Sequence, residues 1–182
     1  TGLFIRIITV GHTPPLTSGR NTKEQLAGEI NTTGIYSMVR HPLYLGNFLM
    51  WAGAVILVAN LYFFIIFVLI YWIYYERIMC AEEQFLRNKF GKTYMDWAEQ
   101  TPAFIPSCRN KKKPFYPFNI KKVLIKEKNG LLAVFILLFI FHNIRYSCVK
   151  GKIQIDNNWV LWCTVIAIIL YVILKLLKKH SS

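Results

Sequence analysis

Acid, cysteine and closely spaced glycine are all scarce in this chain of 182 residues. The four cysteines, Cys80, Cys108, Cys148 and Cys163, are scattered and form no Cys-x-x-Cys pair. That argues against a disulfide framework and against a zinc site, and no metal is expected. The 10 glycines include no two separated by a single residue, so the Gly-x-Gly-x-x-Gly turn is missing. Gly-x-x-x-x-Gly-Lys-Ser/Thr, His-x-x-x-His and Gly-x-Ser-x-Gly are missing too. Dinucleotide chemistry on a Rossmann domain, P-loop chemistry and elbow-serine hydrolysis are therefore disfavoured. With 9 acidic residues against 22 Lys and Arg, the formal charge is +13. Charge alone would suggest a nucleic-acid partner or a disordered basic tail. Disorder needs low hydrophobicity, whereas 54% of these residues are hydrophobic and the mean hydropathy is +0.35.

Long apolar runs reconcile the two halves of that composition, with basic residues lying at the ends of membrane spans. No charged residue occurs in the 33 residues from Leu43 to Tyr75. As one helix they would measure roughly 50 Å, against a hydrocarbon thickness of about 30 Å. Two antiparallel spans fit better, broken near Val58-Ala59-Asn60-Leu61, where Asn60 is the one strongly polar side chain. A hairpin returns the chain to the side it left, so Arg40 and His41 before it should meet Glu76, Glu82 and Glu83 after it. A single span would put them on opposite sides.

The rest of the chain is read around this hairpin. Residues 2–10 look like the tail end of a span that begins upstream, and they lack the layout of a signal peptide. Residues 11–34 read as a polar loop with a helical turn at 22–30. Ile78 to Phe90 has helical spacing of apolar residues and ends at Gly91, and Thr93 to Gln100 reads as a second short helix. Apolar segments 131–142 and 159–174 follow a lysine-rich stretch. The expected organisation is a membrane core at 1–106, a basic linker at 107–130 and a C-terminal pair of transmembrane helices at 131–182, serving as added anchoring or a dimer surface. The fold class is all-α: a polytopic transmembrane helical protein with a helical hairpin at about 43–75. The hairpin tip carries no Lys or Arg, while its other end is flanked by Arg40, Arg77, Arg87, Lys89 and Lys92. The basic regions and the C-terminal tail are therefore placed on the cytosolic side. The lysines there read as contacts to anionic headgroups, with no nucleic acid involved.

Candidate chemistry lies at the mouth of the hairpin. Pro42 suits the first turn of a helix, leaving a free helix N-terminus at 43–46 that can receive a carboxylate. Arg40 and His41 add donors. Tyr36, Tyr44, Tyr94 and Trp97 offer aromatic faces, and Glu82 and Glu83 offer negative charge. Each has an ordinary explanation: an interfacial anchor, an aromatic belt, a solvated helix face. Their convergence on one side favours a site for a zwitterionic, sulfonium-bearing nucleotide.

The run Thr32-Thr33-Gly34-Ile35-Tyr36-Ser37-Met38-Val39-Arg40-His41-Pro42-Leu43-Tyr44-Leu45-Gly46 is followed by an apolar hairpin and then Glu82-Glu83-x-x-Leu86. Phe90-Gly91-x-x-Tyr94 and Pro102-x-x-Ile105-Pro106 complete the pattern. Over residues 30–106 this closely resembles the isoprenylcysteine carboxyl methyltransferase family, whose wider group includes the phospholipid methyltransferases. The resemblance implies an integral membrane enzyme that uses S-adenosyl-L-methionine in a cytosolic helical segment. By position, Tyr36, His41, Pro42, Leu43 and Tyr44 would line the cofactor site with Ile30 and Asn31 nearby, and Tyr94 would add an aromatic face. Glu82 would match the glutamate that holds the cofactor's amino group. The carboxyl methyltransferases carry a substrate-contacting arginine four residues before that glutamate. Here that position is Ile78, with Arg77 one place away. The departure leaves the acceptor open among a carboxylate, a phosphate and an amine of a lipid or lipidated substrate, with Arg40 or Arg77 to orient an anionic one. The alternatives are a membrane reductase of the sterol-reductase type using NADPH, and a non-catalytic membrane scaffold.

Overall fold

A computed structural model describes residues 1–14, 28–152, 155 and 157–180. Its six α-helices are α1 (Gly2–Gly11), α2 (Pro42–Ile56), α3 (Leu61–Phe90), α4 (Lys92–Gln100), α5 (Ile120–Lys150) and α6 (Trp159–His180). A single 3-10 turn, Ile35–Ser37, precedes α2. Among the described residues there is no strand, only an isolated antiparallel bridge between Gly34 and Lys112. This is the all-α architecture expected from the sequence. The helical turn expected at 22–30 falls mostly outside the described residues.

The hairpin is α2 followed by α3, and it reverses at Leu57–Asn60. Ala59 takes a left-handed φ of 53° at the reversal. Asn60 then starts the return helix, its Oδ1 accepting from the Phe63 N–H at 2.9 Å. Helix α3 has 30 residues, about 45 Å at 1.5 Å per residue. Its apolar half, 61–75, is span-like, and its polar half, 76–90, projects beyond. Sequence spacing had suggested a separate helix at Ile78–Phe90. Nothing between Tyr75 and Ile78 breaks a helix, so the backbone runs through and stops only at Gly91, with φ 51°. Likewise 131–142 is the middle of α5, whose Asn119 cap accepts from the Lys122 N–H at 2.9 Å. The boundary read between 130 and 131 thus falls inside one continuous helix.

Among the described residues two helices, α3 and α6, are long and apolar enough to cross a membrane. Only 11% of the apolar window of α3 is buried against protein. Tyr62, Ile66, Leu69, Ile70 and Ile73 face outward, an arrangement that a lipid surround satisfies and water does not. Helix α1 packs across α2 and α5, while α5 pairs with α6, where Thr164 Oγ1 donates to the Phe135 carbonyl at 3.2 Å.

The α1–α2 crossing needs two glycines. A Cβ on Gly2 would lie 2.4 Å from the Gly46 carbonyl oxygen, and one on Gly46 would lie 2.6 Å from Arg6 Cγ. Beside this contact Arg6 forms a fork with Glu127 of α5, Nε to Oε2 at 2.6 Å and Nη2 to Oε1 at 2.7 Å. Arg6 Nη1 also donates to Asn47 Oδ1, and Asn47 Nδ2 donates to Tyr75 Oη at 3.4 Å. One polar chain therefore ties four helices together beneath the mouth of the hairpin.

Candidate functional site

The site is built where residues 101–103 cross the start of α2. The backbone N–H of Arg40 donates to the Pro102 carbonyl at 2.9 Å, and that of His41 donates to the Ala103 carbonyl at 3.1 Å. These two bonds hold both side chains against α3. Pro42 occupies the first turn of α2, and no side chain caps that helix N-terminus, which leaves its early N–H groups directed at the site.

Consecutive residues on a helix point about 100° apart, so Glu82 and Glu83 face different neighbours. Glu83 Oε1 lies 2.9 Å from His41 Nε2, and its Oε2 accepts from Arg40 Nη1 at 3.3 Å. Glu82 Oε2 accepts from Tyr44 Oη at 2.9 Å and lies 3.6 Å from His41 Nδ1. The Glu83 side chain is 17% exposed and that of Glu82 40%. Glu83 is thus spent on the two cations, whereas Glu82 keeps a surface open to a further charged group. Burial by itself would lower the His41 pKa. Its bonds to Glu82 and Glu83 outweigh that, and the imidazole is raised above its ordinary value.

The aromatic residues form a frame. Tyr44 stacks near His41 with centroids 5.6 Å apart, and Tyr71 Oη donates to the Tyr44 carbonyl at 2.7 Å. Trp97 Nε1 donates to the Tyr36 carbonyl at 3.2 Å, fastening α4 to the turn before α2. Tyr36 has its pKa raised, first by burial and then by the negative charge of Glu82. Tyr94 is fully buried, and its hydroxyl and Arg40 Nε are buried without a hydrogen-bond partner. An open cavity of about 710 Å³ adjoins Arg40, lined also by Gln100, Ser107, Arg109 and Asn110.

The structure brings together Tyr36, Arg40, His41, Pro42, Leu43, Tyr44, Glu82 and Tyr94. Ile30 and Asn31 lie along the chain at the edge of the turn, where Asn31 Oδ1 accepts from the Thr33 N–H at 3.2 Å. Arg77 and Glu76 are exposed, and Arg77 lies about 140° around α3 from Glu82. Among the described residues neither enters an ion pair. The structure adds roles that the sequence does not separate. Glu83 was seen only as half of an equivalent pair. The Pro102 and Ala103 carbonyls and Tyr71 carry no sequence signal that separates them from ordinary loop and span residues.

Residues 19–93 match the phospholipid methyltransferase family. The matched stretch of this methyltransferase family takes in the turn before α2, the whole hairpin and both glutamates. The Protein-S-isoprenylcysteine O-methyltransferase of Schizosaccharomyces pombe is 35% identical over 75 residues, which are 41% of this chain and 32% of that protein. Protein-S-isoprenylcysteine O-methyltransferase B of Arabidopsis thaliana is 33% identical over 76 residues, 41% of this chain and 38% of its own length. A nickel-cobalt-cadmium resistance protein of Alcaligenes xylosoxydans xylosoxydans is 36% identical over 78 residues, 43% of this chain and 36% of its own. The chain thus spans about a third of the length of the curated relatives it matches. No solved structure matches it.

Proposed function

We propose that this chain carries the cofactor-binding part of an S-adenosylmethionine-dependent methyltransferase acting on a lipid or lipidated acceptor at the membrane. The observation that carries the reading is the division of labour between the two glutamates inside the family-matching segment. Glu83 pairs with both Arg40 and His41, whereas Glu82, the more exposed of the two, touches His41 only at 3.6 Å and keeps room for an ammonium group. The site's chemistry fits the cofactor. Leu43 and Tyr44 lie in the uncapped first turn, and with the orphaned Arg40 Nε they suit a carboxylate. Tyr36 and Tyr44 suit a purine or a sulfonium.

When bound, S-adenosylmethionine supplies an electrophilic methyl group on sulfur. Its transfer is an in-line displacement, so the chain's contribution is alignment and exclusion of water rather than covalent catalysis. Arg40 orients an anionic acceptor, carboxylate or phosphate, through its face on the cavity. Arg77, exposed and about 140° around α3 from Glu82, is the less favoured of the two for that role. The concentration of Lys and Arg at this end of the hairpin supports a site on the cytosolic side.

Isothermal titration of the purified chain with S-adenosylhomocysteine tests the reading. Glu82→Ala and His41→Ala should abolish the binding seen with the unaltered chain. Unchanged binding in both would overturn the site assignment.

A further inference from the structure

We propose that residues 103–121 form a strap seated in the surface of an anionic lipid leaflet, and that this seating holds the edge of the candidate site in place. The inference goes beyond methyl transfer and does not depend on it. From Thr101 to Lys126 the chain has no acidic residue, while Arg109, Lys111, Lys112, Lys113 and Lys121 follow one another. Interleaved with these cations are apolar side chains turned outward: Ile105 is 79% exposed and Phe115 78%, with Phe118 and Ile120 also exposed. Pro106, Pro114 and Pro117 remove backbone donors and keep the stretch from coiling into a helix.

The depth of the strap can be read from its first residues. Phe104 packs edge-on against Phe48, at 5.9 Å between centroids, and against Trp72, at 5.6 Å. Trp72 belongs to the charge-free half of α3, so the strap begins at the level of the span and Ile105 beside it faces lipid. A cluster of cations followed by exposed aromatic and aliphatic side chains, on a strap that starts at that level, matches a headgroup layer, where rings enter the acyl boundary and ammonium groups stay with phosphates. An acidic protein partner would account for the lysines but not for the apolar depth.

The strap is also fastened to the site. The Ser107 N–H donates to the Met38 carbonyl at 2.9 Å, the Lys112 N–H to Ser37 Oγ at 2.9 Å and the Phe115 N–H to Thr33 Oγ1 at 3.2 Å. At its far end the Asn119 N–H donates to the Gly11 carbonyl at 2.9 Å. Three of these bonds end on the turn that carries Tyr36 and leads to Arg40. Whatever orders the strap therefore orders that turn.

Hydrogen exchange of the full chain in nanodiscs tests this, comparing phosphatidylcholine with an equimolar mixture of phosphatidylcholine and phosphatidylglycerol. Peptides covering 103–121 and 31–40 should both exchange more slowly in the anionic discs, by about threefold or more. The triple variant Lys111→Gln, Lys112→Gln, Lys113→Gln should lose that difference. Should the variant fail to fold, high salt applied to the unaltered chain must erase the difference instead. Equal exchange in the two lipids overturns the proposal, as does a difference that survives both neutralisation and salt. So does equal protection by soluble polyglutamate in phosphatidylcholine discs, which would assign the strap to an acidic protein. S-adenosylhomocysteine titration in the same discs reports separately on the methyltransferase reading.

Discussion

The imidazole of His41 lies between two carboxylates, with Nε2 2.9 Å from Glu83 Oε1 and Nδ1 3.6 Å from Glu82 Oε2. Both ring nitrogens face acceptors, so the doubly protonated form is the one this pocket stabilises. A buried histidine without such partners would lose its proton more readily than in water. Here the carboxylates reverse that tendency, and the net direction is upward.

A pH dependence of stability follows. The folded chain holds the His41 proton more tightly than an unfolded chain, in which the value is about 6.5. The stabilisation is therefore complete below about 6.5 and is lost as pH rises through the raised folded value. Thermal unfolding of the detergent-solubilised chain should show Tm falling across that window. In His41→Gln the fall should be largely absent, and a variant that keeps the unaltered chain's slope would contradict the assignment.

The two adjacent glutamates should separate by what they disturb. Glu83→Gln leaves Arg40 and His41 short of a counter-charge and should cost about 1–3 kcal/mol of stability. Glu82→Gln touches a more exposed group, so it should leave Tm nearly unchanged while weakening S-adenosylhomocysteine binding. Arg77→Ala should alter neither. Paired thermal and titration measurements on the three variants check this, and equal stability losses in Glu82→Gln and Glu83→Gln would show that the roles are not divided.

The hairpin was legible because an absence of charge is a one-dimensional signal and Asn60 marks where it is interrupted. Composition misled at Tyr75–Ile78, where polarity changes while helix-forming backbone does not, so one helix read as two elements. The site was partly legible, since a hairpin must return Glu82 and Glu83 to Arg40 and His41. Their division of labour was not, because it depends on the rotation of α3 about its axis. The partnership of Arg6 with Glu127, 121 residues apart, leaves no local trace. Glu127 stands among lysines and reads as one more solvated charge until α5 is laid against α1.

That partnership gives a sharp asymmetry. Glu127 is 5% exposed and meets Arg6 through two hydrogen bonds. Glu127→Ala leaves a part-buried guanidinium held by Asn47 and should cost about 1–3 kcal/mol, whereas Arg6→Met combined with Glu127→Leu should be close to neutral. Unfolding in sodium dodecyl sulfate measures both. A double variant as unstable as the single one would mean that the pair's geometry, not its charge balance, holds α1 and α5 together.

Glycine at 46 is required by contact rather than by backbone conformation. A methyl group there would lie 2.6 Å from Arg6 Cγ and 3.0 Å from the Gly2 carbonyl oxygen, so α1 must move away or the Arg6 fork must bend. Gly46→Ala should destabilise by about 1–3 kcal/mol, the range for overfilling a packed contact. Gly53 is the internal control, because it lies two turns further along nearly the same face of α2 and nothing lies within 4 Å of its added Cβ. Gly53→Ala should leave stability unchanged or raise it by up to about 1 kcal/mol through helix propensity alone. Both variants change the same residue type in the same helix, so propensity cancels between them and the difference isolates the α1–α2 contact. Equal effects at the two positions would show that α1 does not pack on Gly46, and with it would go the placement of Arg6 beneath the site.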